Sequence, residues 1–384
     1  MKKALLLDTN VSSFPIYEFL LSKGYDTYVI GGNPSDCLAK YTTNYINCNY
    51  SNPELLQNAI SEYGFDVIVP GCNDMSYLSA TKVNGSNKFY GLDSTEVTEI
   101  INNKNKFRNF GISNGLHIPQ LFDKDVAYLQ TNPIIVKPVD AYSGRGVSVI
   151  PNPNKNDIDT AIENAISFSS SKNYLIEEYI EGQLYSHTAF VSNKKIIVDF
   201  IVIEHGCTNE FTVDTSNVVT DFSESILLKI RTDIEIMAEK LDLVDGLIHT
   251  QFIKTENSFR ILEVTRRCPG DLYSFLIEKT TGFKYSEYYA KPFINEKLNV
   301  DGFIPNTNYI LRHTLSVSKD TPFIAVQYNR ELNIDLFIPM NTTGTEIKKS
   351  PFGRVGLAFI KCNSIGELTD IKKDILNRNL YTIK

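Results

Sequence analysis

NPIIVKPVDAYSGRGVSVI, residues 132–150, decides how the rest of the chain is read. An apolar run (Ile134, Ile135, Val136) leads into Lys137. A segment bearing Gly144 and Gly146 follows, and then a second β-branched run through Val147 and Val149. That order reads as strand, lysine, flexible loop, strand. Without a β-carbon at Gly144 and Gly146, the backbone can approach phosphate groups closely and aim N–H groups at them. Lys137, at the end of the strand, can neutralise phosphate charge. The same residues also suit a plain hairpin with a glycine turn and a solvated lysine. What separates the two readings lies elsewhere in the chain.

A chain of 384 residues exceeds one small core and implies two or three domains. Hydrophobic residues at 42% and charged residues at 22% describe an ordinary globular protein. The net charge of −7 supplies no basic surplus, so nucleic acid is not an expected partner. No run approaches the roughly 18 apolar residues of a membrane span, so none is expected. In the opening MKKALLLDTN, Asp8 cuts the apolar run short, which favours a buried first strand over a secretion signal. The six cysteines are scattered with no CxxC spacing, as expected of a reduced cytoplasmic protein. The five histidines show no metal-ligand spacing.

Upstream of the opening stretch, KALLL (3–7) reads as a strand and 14–23 as a helix. Residues 25–30 form a second strand, 53–63 a helix with Pro53 in its first turn, and 65–70 a third strand. Alternating strands and helices predict a parallel sheet. The turn after the first strand, Asp8 to Ser13, contains no glycine, so a dinucleotide cradle is not expected there. A helix then carries Lys104 and Arg108 and closes at Gly115; an exposed basic face would explain it equally well. Downstream, 156–169 reads as a helix and YLIEEYIEG (174–182) as a strand. Glu177 and Glu178 stand in its apolar run, where carboxylates are unusual unless they bind something. Strands near 185–191 and 196–203 and a helix at 221–241 follow. LIHTQFI (247–253) and FRILEVTRR (259–267) then read as an antiparallel hairpin turning at 255–258. Residues 300–384 add short strands and a helix near 365–378.

Taken in order, these segments resemble the ATP-grasp superfamily, in particular its carboxylate–amine ligase and carbamoyl-phosphate-synthase large-subunit-like branch, over essentially the whole chain. The resemblance implies an α/β (α+β ATP-grasp) fold. A Rossmann-like N-terminal, pre-ATP-grasp domain would span 1–100. A two-subdomain ATP-grasp nucleotide-binding domain would span 101–299, with a mobile lid at about 115–180. A C-terminal lobe, 300–384, would complete the large subdomain. Lys104 sits where the family's first phosphate-binding lysine lies, eleven residues before Gly115-Leu116-His117-Ile118-Pro119. Lys137 matches the second lysine, and Ser143, Gly144, Arg145 and Gly146 match the loop over the triphosphate. Glu177, Glu178, Tyr179 and Ile180 match the hinge that reads adenine, whose faces Ile135 and Leu262 would sandwich. Glu263 matches the principal magnesium ligand. Arg267 matches the arginine facing the γ-phosphate and the reacting carboxylate.

Three positions depart from that pattern. The first metal carboxylate, twelve residues before Glu263, is Gln251; the asparagine two residues after it is Thr265; the ribose-binding acid is Leu184. Magnesium prefers charged oxygens. With Gln251 and Thr265 offering neutral ones, the resemblance implies ATP with one Mg²⁺ ion sooner than two. The implied activity is an ADP-forming ligase that joins a small carboxylate to an amine through an acyl phosphate. Its partners would be those small molecules, with a homodimer left open. A regulatory ATP-binding protein and a phosphotransferase are the other readings the depleted metal set permits. Beside Arg267, Arg266 is either a solvated arginine or part of the site. Asp271 either holds a substrate amine or caps the helix that follows. Cys268 reads as structural.

Overall fold

The computed structural model describes residues 1–384 except 142–143 and 208–210. Four parallel strands come first. β1 (Lys3–Leu7) pairs with β2 (Asp26–Gly31), β2 with β3 (Tyr45–Asn47), and β4 (Val67–Pro70) with the other side of β1, giving the order β3-β2-β1-β4. Ala4 through Leu7 are fully buried, which is why this apolar run becomes an inner strand. Between the strands run α1 (Phe14–Ser22), α2 (Cys37–Tyr41) and α3 (Pro53–Tyr63); α4 (Asp74–Lys82) follows β4. α3 begins where the Asn52 side chain accepts the N–H groups of Glu54 and Leu55, and stops at Gly64 with φ +68°. In the turn after β1, the Asp8 carboxylate accepts the Asn10 N–H, the Ser13 hydroxyl and the Cys72 N–H. A protein carboxylate thus takes the donors that a phosphate would need.

The single helix expected around Lys104 is two. α5 (Thr95–Asn102) ends at Asn103, whose extended backbone breaks the helix and whose side chain caps α6 (Lys104–Ser113) by accepting the Lys106 N–H. Lys104 and Arg108 are four residues apart on α6 and share a face. After the short α7 (Lys124–Ala127) comes an antiparallel sheet of β5 (Ile134–Pro138), β6 (Ser148–Ile150) and β7 (Tyr174–Glu178), in the order β6-β5-β7. α8 (Lys155–Phe168) covers it with Ile158 and Ile162 against Ile134, Val136 and Ile176. β7 ends at Glu178, four residues before the predicted limit, because Tyr179 turns its N–H to the Pro133 carbonyl.

The largest sheet has eight antiparallel strands. They come from β8 (Gln183–Ser192), β9 (Lys195–His205), β10 (Thr215–Val219), β11 (Gly246–Lys254), β12 (Phe259–Thr265) and β13 (Tyr309–Leu315). After β14 (Thr321–Pro322) and β15 (Val326–Tyr328), β16 (Ile334–Pro339) also joins, as does β18 (Gly356–Cys362), which follows β17 (Glu346–Ile347). The order is β12-β11-β8-β9-β10-β13-β18-β16, so residues beyond 300 continue the sheet begun at 183. β14 pairs with β17 and β15 with β19 (Tyr381–Ile383), around α12 (Ile365–Leu376). α9 (Glu224–Lys240) covers one face through Ile226, Ile230, Ile234 and Met237 packed with Ile248, Ile261 and Val264. On the other face, α10 (Tyr273–Thr281) and α11 (Tyr285–Ala290) join Phe190, Phe200 and Leu247 to the core of the first lobe. Beside that apolar patch, polar residues cross the same face from strand to strand: Glu263 opposite Gln251, Gln251 opposite Ser186, then Glu204, Ser216 and Arg312. Among the described residues, no helix is long and apolar enough to cross a membrane.

Candidate active site

β12 carries a bulge at the site. Gln251 faces Glu263 and Phe252 faces Ile261, which leaves Leu262 as an extra residue. Regular alternation would send Leu262 and Glu263 to opposite faces. With the bulge, Ile261 and Val264 both enter the α9 layer, while Leu262 and Glu263 in between stay half-buried outside it. The bulged backbone is also used: the Leu262 carbonyl accepts the Arg108 Nη2–H at 2.8 Å.

Arg108 and Glu177 are buried at 0% and 1% exposure, so the exposed-face reading of Arg108 does not hold. Arg108 Nε donates to Glu177 Oε1 at 2.7 Å, and Lys137 Nζ makes a short ion pair with Glu177 Oε2. Burial works against the Glu177 carboxylate, but Lys137 and Arg108 outweigh it and hold the group below the usual carboxylate range. Burial also pushes the Lys137 ammonium down, with Glu177 pulling the other way. Glu178 faces differently. Its Oε1 accepts the Gln120 N–H at 3.0 Å and Arg260 Nε–H at 3.3 Å, which ties the end of β7 to β12. Tyr179 and Ile180 lie half-buried in the connection that follows.

Lys104 opens α6 and donates to the Ala141 carbonyl at 3.3 Å, so it meets the base of the glycine loop. The same end of the loop is fixed by the preceding residue, Asp140, whose carboxylate takes the Ser169 and Ser170 hydroxyls and the Ser171 N–H. Gly144 and Gly146 hold φ of +70° and +73°, a region glycine enters freely. A β-carbon on Gly144 would collide with Phe211, so this loop lies against the segment joining β9 to β10. Arg145 is exposed. Ser143 lies outside the described residues.

Arg267, just past β12, reaches the first lobe. Its Nε donates to Asp74 Oδ1 at 2.9 Å and its Nη2 to Oδ2 at 3.2 Å, and the Thr265 hydroxyl donates to Oδ1 at 3.1 Å. Burial works against the Asp74 carboxylate, yet Arg267, Thr265 and Lys104 together keep it below the usual range. Glu263 is near enough to help hold Arg267 charged. Arg266 does not share this setting. It is 3% exposed and donates to Asp93 Oδ2 and to the Leu247 and Val244 carbonyls, an anchor between lobes. Cys268 is buried, and burial pushes its thiol well up, away from the reactive thiolate.

The Gln251 side chain gives its amide N–H to Glu204 Oε2 at 2.8 Å, while the Ser186 hydroxyl donates to Oε1. Burial raises the Glu204 carboxyl above its usual value. Asp271 does not cap α10, whose N-cap is Leu272 with no side-chain bond. Its carboxylate sits between Arg354 and Arg312 instead.

A family model for the ATP-grasp domain matches residues 130–274, from the strand before Lys137 to the start of α10. Residues 130–274 are an ATP-grasp domain. That match meets the resemblance to the superfamily; Lys137, Glu263 and Arg267 lie within the matched residues and Lys104 before them. No curated protein matches the chain. Solved structures extend the ATP-grasp fold over the rest of it. An L-amino acid ligase from Bacillus licheniformis superimposes with a TM-score of 0.82 at 15% identity, covering 100% of this chain and 98% of that one. A phosphoribosylglycinamide synthetase from Anaerococcus prevotii gives 0.77 at 17%, covering 100% and 99%. An N5-carboxyaminoimidazole synthetase from Staphylococcus aureus, complexed with ADP, gives 0.74 at 12%, covering 98% of each chain.

The geometry brings together more than the sequence marked. Asp74 follows the helix cap Asn73 and looks like any first-turn acid. Glu204 sits in the run IVIEH, and nothing in its spacing points toward Gln251. The only signal for Arg108 was its four-residue offset from Lys104.

Proposed function

We propose that this ATP-grasp chain is an ADP-forming ligase that activates a small carboxylate as an acyl phosphate and joins it to an amine. One observation carries the reading: cations from three parts of the chain lie close together, Lys104 at the Ala141 carbonyl of the loop that follows Lys137, Lys137 paired with Glu177, and Arg267 paired with Asp74. Lys104 from α6 bears on both Lys137 of β5 and Asp74 of the first lobe, and Asp74 in turn holds Arg267, which is near enough to feel the Glu263 carboxylate. Such a set suits a triphosphate at one end and a reacting carboxylate at the other.

The donor set suits a divalent cation that arrives with the nucleotide. Mg²⁺ is often held by one or two carboxylates plus substrate phosphates, and Glu263 with the Gln251 amide oxygen supplies that minimum. Among the described residues, no three His, Cys, Asp or Glu side chains form a cage of their own. The Thr265 hydroxyl is taken up by Asp74. When bound, the cation would neutralise charge on the phosphate oxygens.

In the proposed reaction, Lys104 and Lys137 hold the triphosphate, and the N–H groups of the glycine loop cover it. Arg267 orients the substrate carboxylate, whose oxygen attacks the γ-phosphorus as the bond to ADP breaks. The amine nitrogen then attacks the acyl carbon, the carbon–oxygen bond breaks, and phosphate leaves with the bonding electrons. Positioning and charge stabilisation supply most of the catalysis in phosphoryl transfer. Closure of the β5–β7 subdomain would exclude water. The test is a panel of amino acids and small carboxylates, offered with amines, read by ADP and phosphate release. AMP and pyrophosphate would mean a different chemistry.

A further inference from the structure

We propose that Glu204 is the positioning residue of the metal end of the site. It turns the Gln251 amide so that the oxygen, and not the nitrogen, is offered to the cation, and it supplies from behind the negative charge that Gln251 lacks. The proposal rests on the reading of Gln251 and Glu263 as the protein ligands of that cation.

Strand order sets these groups in a line. Gln251 of β11 faces Glu263 of β12 on one side and Ser186 of β8 on the other. Glu204 lies one strand further, on β9, so the line runs Glu263, Gln251, Ser186, Glu204. Side chains close it. Gln251 Nε2 donates to Glu204 Oε2 and Ser186 Oγ to Glu204 Oε1, both at 2.8 Å. The Ser186 hydroxyl also meets Tyr273 Oη at 3.0 Å, at the first residue of α10. Gln183 Nε2 donates to the Glu204 carbonyl at 2.7 Å, which fixes the backbone behind the carboxylate.

An amide carries its donor and its acceptor on opposite flanks, whereas an ionised carboxylate only accepts. Glu204 therefore takes the nitrogen flank of Gln251 and not the oxygen flank. With the nitrogen drawn toward β9, the amide oxygen is left on the side of β12, where Glu263 stands. A glutamine free to rotate would offer either atom to the cleft, and its NH2 group repels a cation. Glu204 removes that choice.

The charge itself has no other evident use. Glu204 is 4% exposed, and the donors on its two oxygens are an amide and a hydroxyl. Among the described residues it makes no ion pair; Arg312 favours its charge and Asp271 opposes it, both without contact. A buried carboxylate without a paired cation is costly. A cation held by Gln251 and Glu263 lies one side chain away and offsets that cost. Outer partners of this kind orient a metal ligand and tune its affinity. Glu204 also accounts for the amide at position 251, because a carboxylate there would meet it with like charge.

Titrating Mg²⁺ against ATP binding in the full chain tests this, with urea unfolding of the metal-free protein alongside. Glu204→Gln keeps the shape but removes the charge and lets the Gln251 amide turn either way. It should raise the Mg²⁺ midpoint about tenfold, with the urea midpoint unchanged or higher and adenosine binding unchanged. A purely structural Glu204 would lower the urea midpoint and leave the Mg²⁺ midpoint alone. Combining Glu204→Gln with Gln251→Glu rebuilds the hydrogen bond with donor and acceptor exchanged. That double variant should return the Mg²⁺ midpoint to the wild-type value or below, and should be more stable to urea than Gln251→Glu alone. It also carries the test if Glu204→Gln by itself does not fold. An unchanged Mg²⁺ midpoint in Glu204→Gln, or a double variant no more stable than Gln251→Glu, overturns the proposal. If Gln251→Glu also leaves the midpoint unchanged, the reading of Gln251 as a metal ligand falls with it. Hydroxamate formation reads the ligase chemistry separately. The expected midpoints without hydroxamate from any carboxylate would sink the ligase reading and spare the Glu204–Gln251 pair.

Discussion

The guanidinium of Arg267 and the carboxylate of Asp74 lie fork to fork, Nε to Oδ1 at 2.9 Å and Nη2 to Oδ2 at 3.2 Å, although they belong to different lobes. A bidentate pair of this kind fixes the plane of the guanidinium as well as its place. Asp74→Asn keeps one acceptor oxygen but loses the charge and the second arm. A misplacement of about 1 Å can cost on the order of a hundredfold in rate. The expected outcome is a fall in kcat of roughly tenfold to a hundredfold with ATP affinity little changed. Equal losses in kcat and in ATP affinity would place Asp74 on the nucleotide instead.

Lys137 and Glu177 separate binding from stability. Lys137→Ala removes a charge-assisted phosphate contact worth about 1.5–3 kcal/mol, while Arg108 still pairs Glu177. ATP binding should weaken about tenfold to a hundredfold, and adenosine binding should not. Glu177→Ala instead strands two buried cations and should cost about 3–5 kcal/mol of stability. Calorimetry with ATP and adenosine, alongside urea unfolding, reads both; equal weakening for ATP and adenosine would remove Lys137 from the phosphates.

At the metal end, Gln251→Glu has two opposite effects. The added charge should lower the Mg²⁺ concentration needed for ATP binding. It also replaces an amide N–H that Glu204 accepts with a second carboxylate. Without metal the variant should be less stable by about 1–3 kcal/mol. Titrating Mg²⁺ against ATP binding decides the first point, and an unchanged midpoint would take Gln251 out of the metal site.

Buried histidines make stability depend on pH. Burial pushes His249 and His313 down to about 3, with Arg267 and His187 adding to the effect at His249. Unfolded histidine protonates near 6.5, so between pH 6.5 and about 3 the unfolded state binds more protons. Stability should be full above pH 6.5 and fall as pH drops, by about 1.4 kcal/mol per unit for each such histidine. Asp74 and Glu177, held low, begin to add to the loss only below about pH 4. Urea midpoints at pH 7 and pH 5 should differ, and His313→Asn should flatten the slope. Equal midpoints in the wild type would contradict this.

Much of the scaffold was legible in residues. The apolar run at 4–7 became an inner parallel strand and the segment 247–267 an antiparallel hairpin, as their patterns predicted. Chemistry and local pattern coincide at Lys137, which ends a strand just before the glycine loop, whereas Lys104 was marked only by the resemblance. Where contacts join distant segments, the site was not legible. FRILEV alternates like a regular strand, so the bulge at Leu262 leaves no trace in it. Asp74 meets Arg267 across 193 positions, and Glu204 meets Gln251 across 47. Such pairings follow from sheet order and lobe packing, which no short-range pattern encodes. Arg312 and Arg354 stand in a region whose sequence showed only short strands.

The ligase chemistry is tested most directly by hydroxylamine trapping. With ATP, Mg²⁺, hydroxylamine and each member of a panel of amino acids and small carboxylates, the protein should form a hydroxamate with at least one carboxylate. ADP should appear in equal amount, and Arg267→Ala should abolish both. Hydroxamate accompanied by AMP and pyrophosphate, or ADP release with no hydroxamate from any carboxylate, would contradict an acyl phosphate formed beside Arg267.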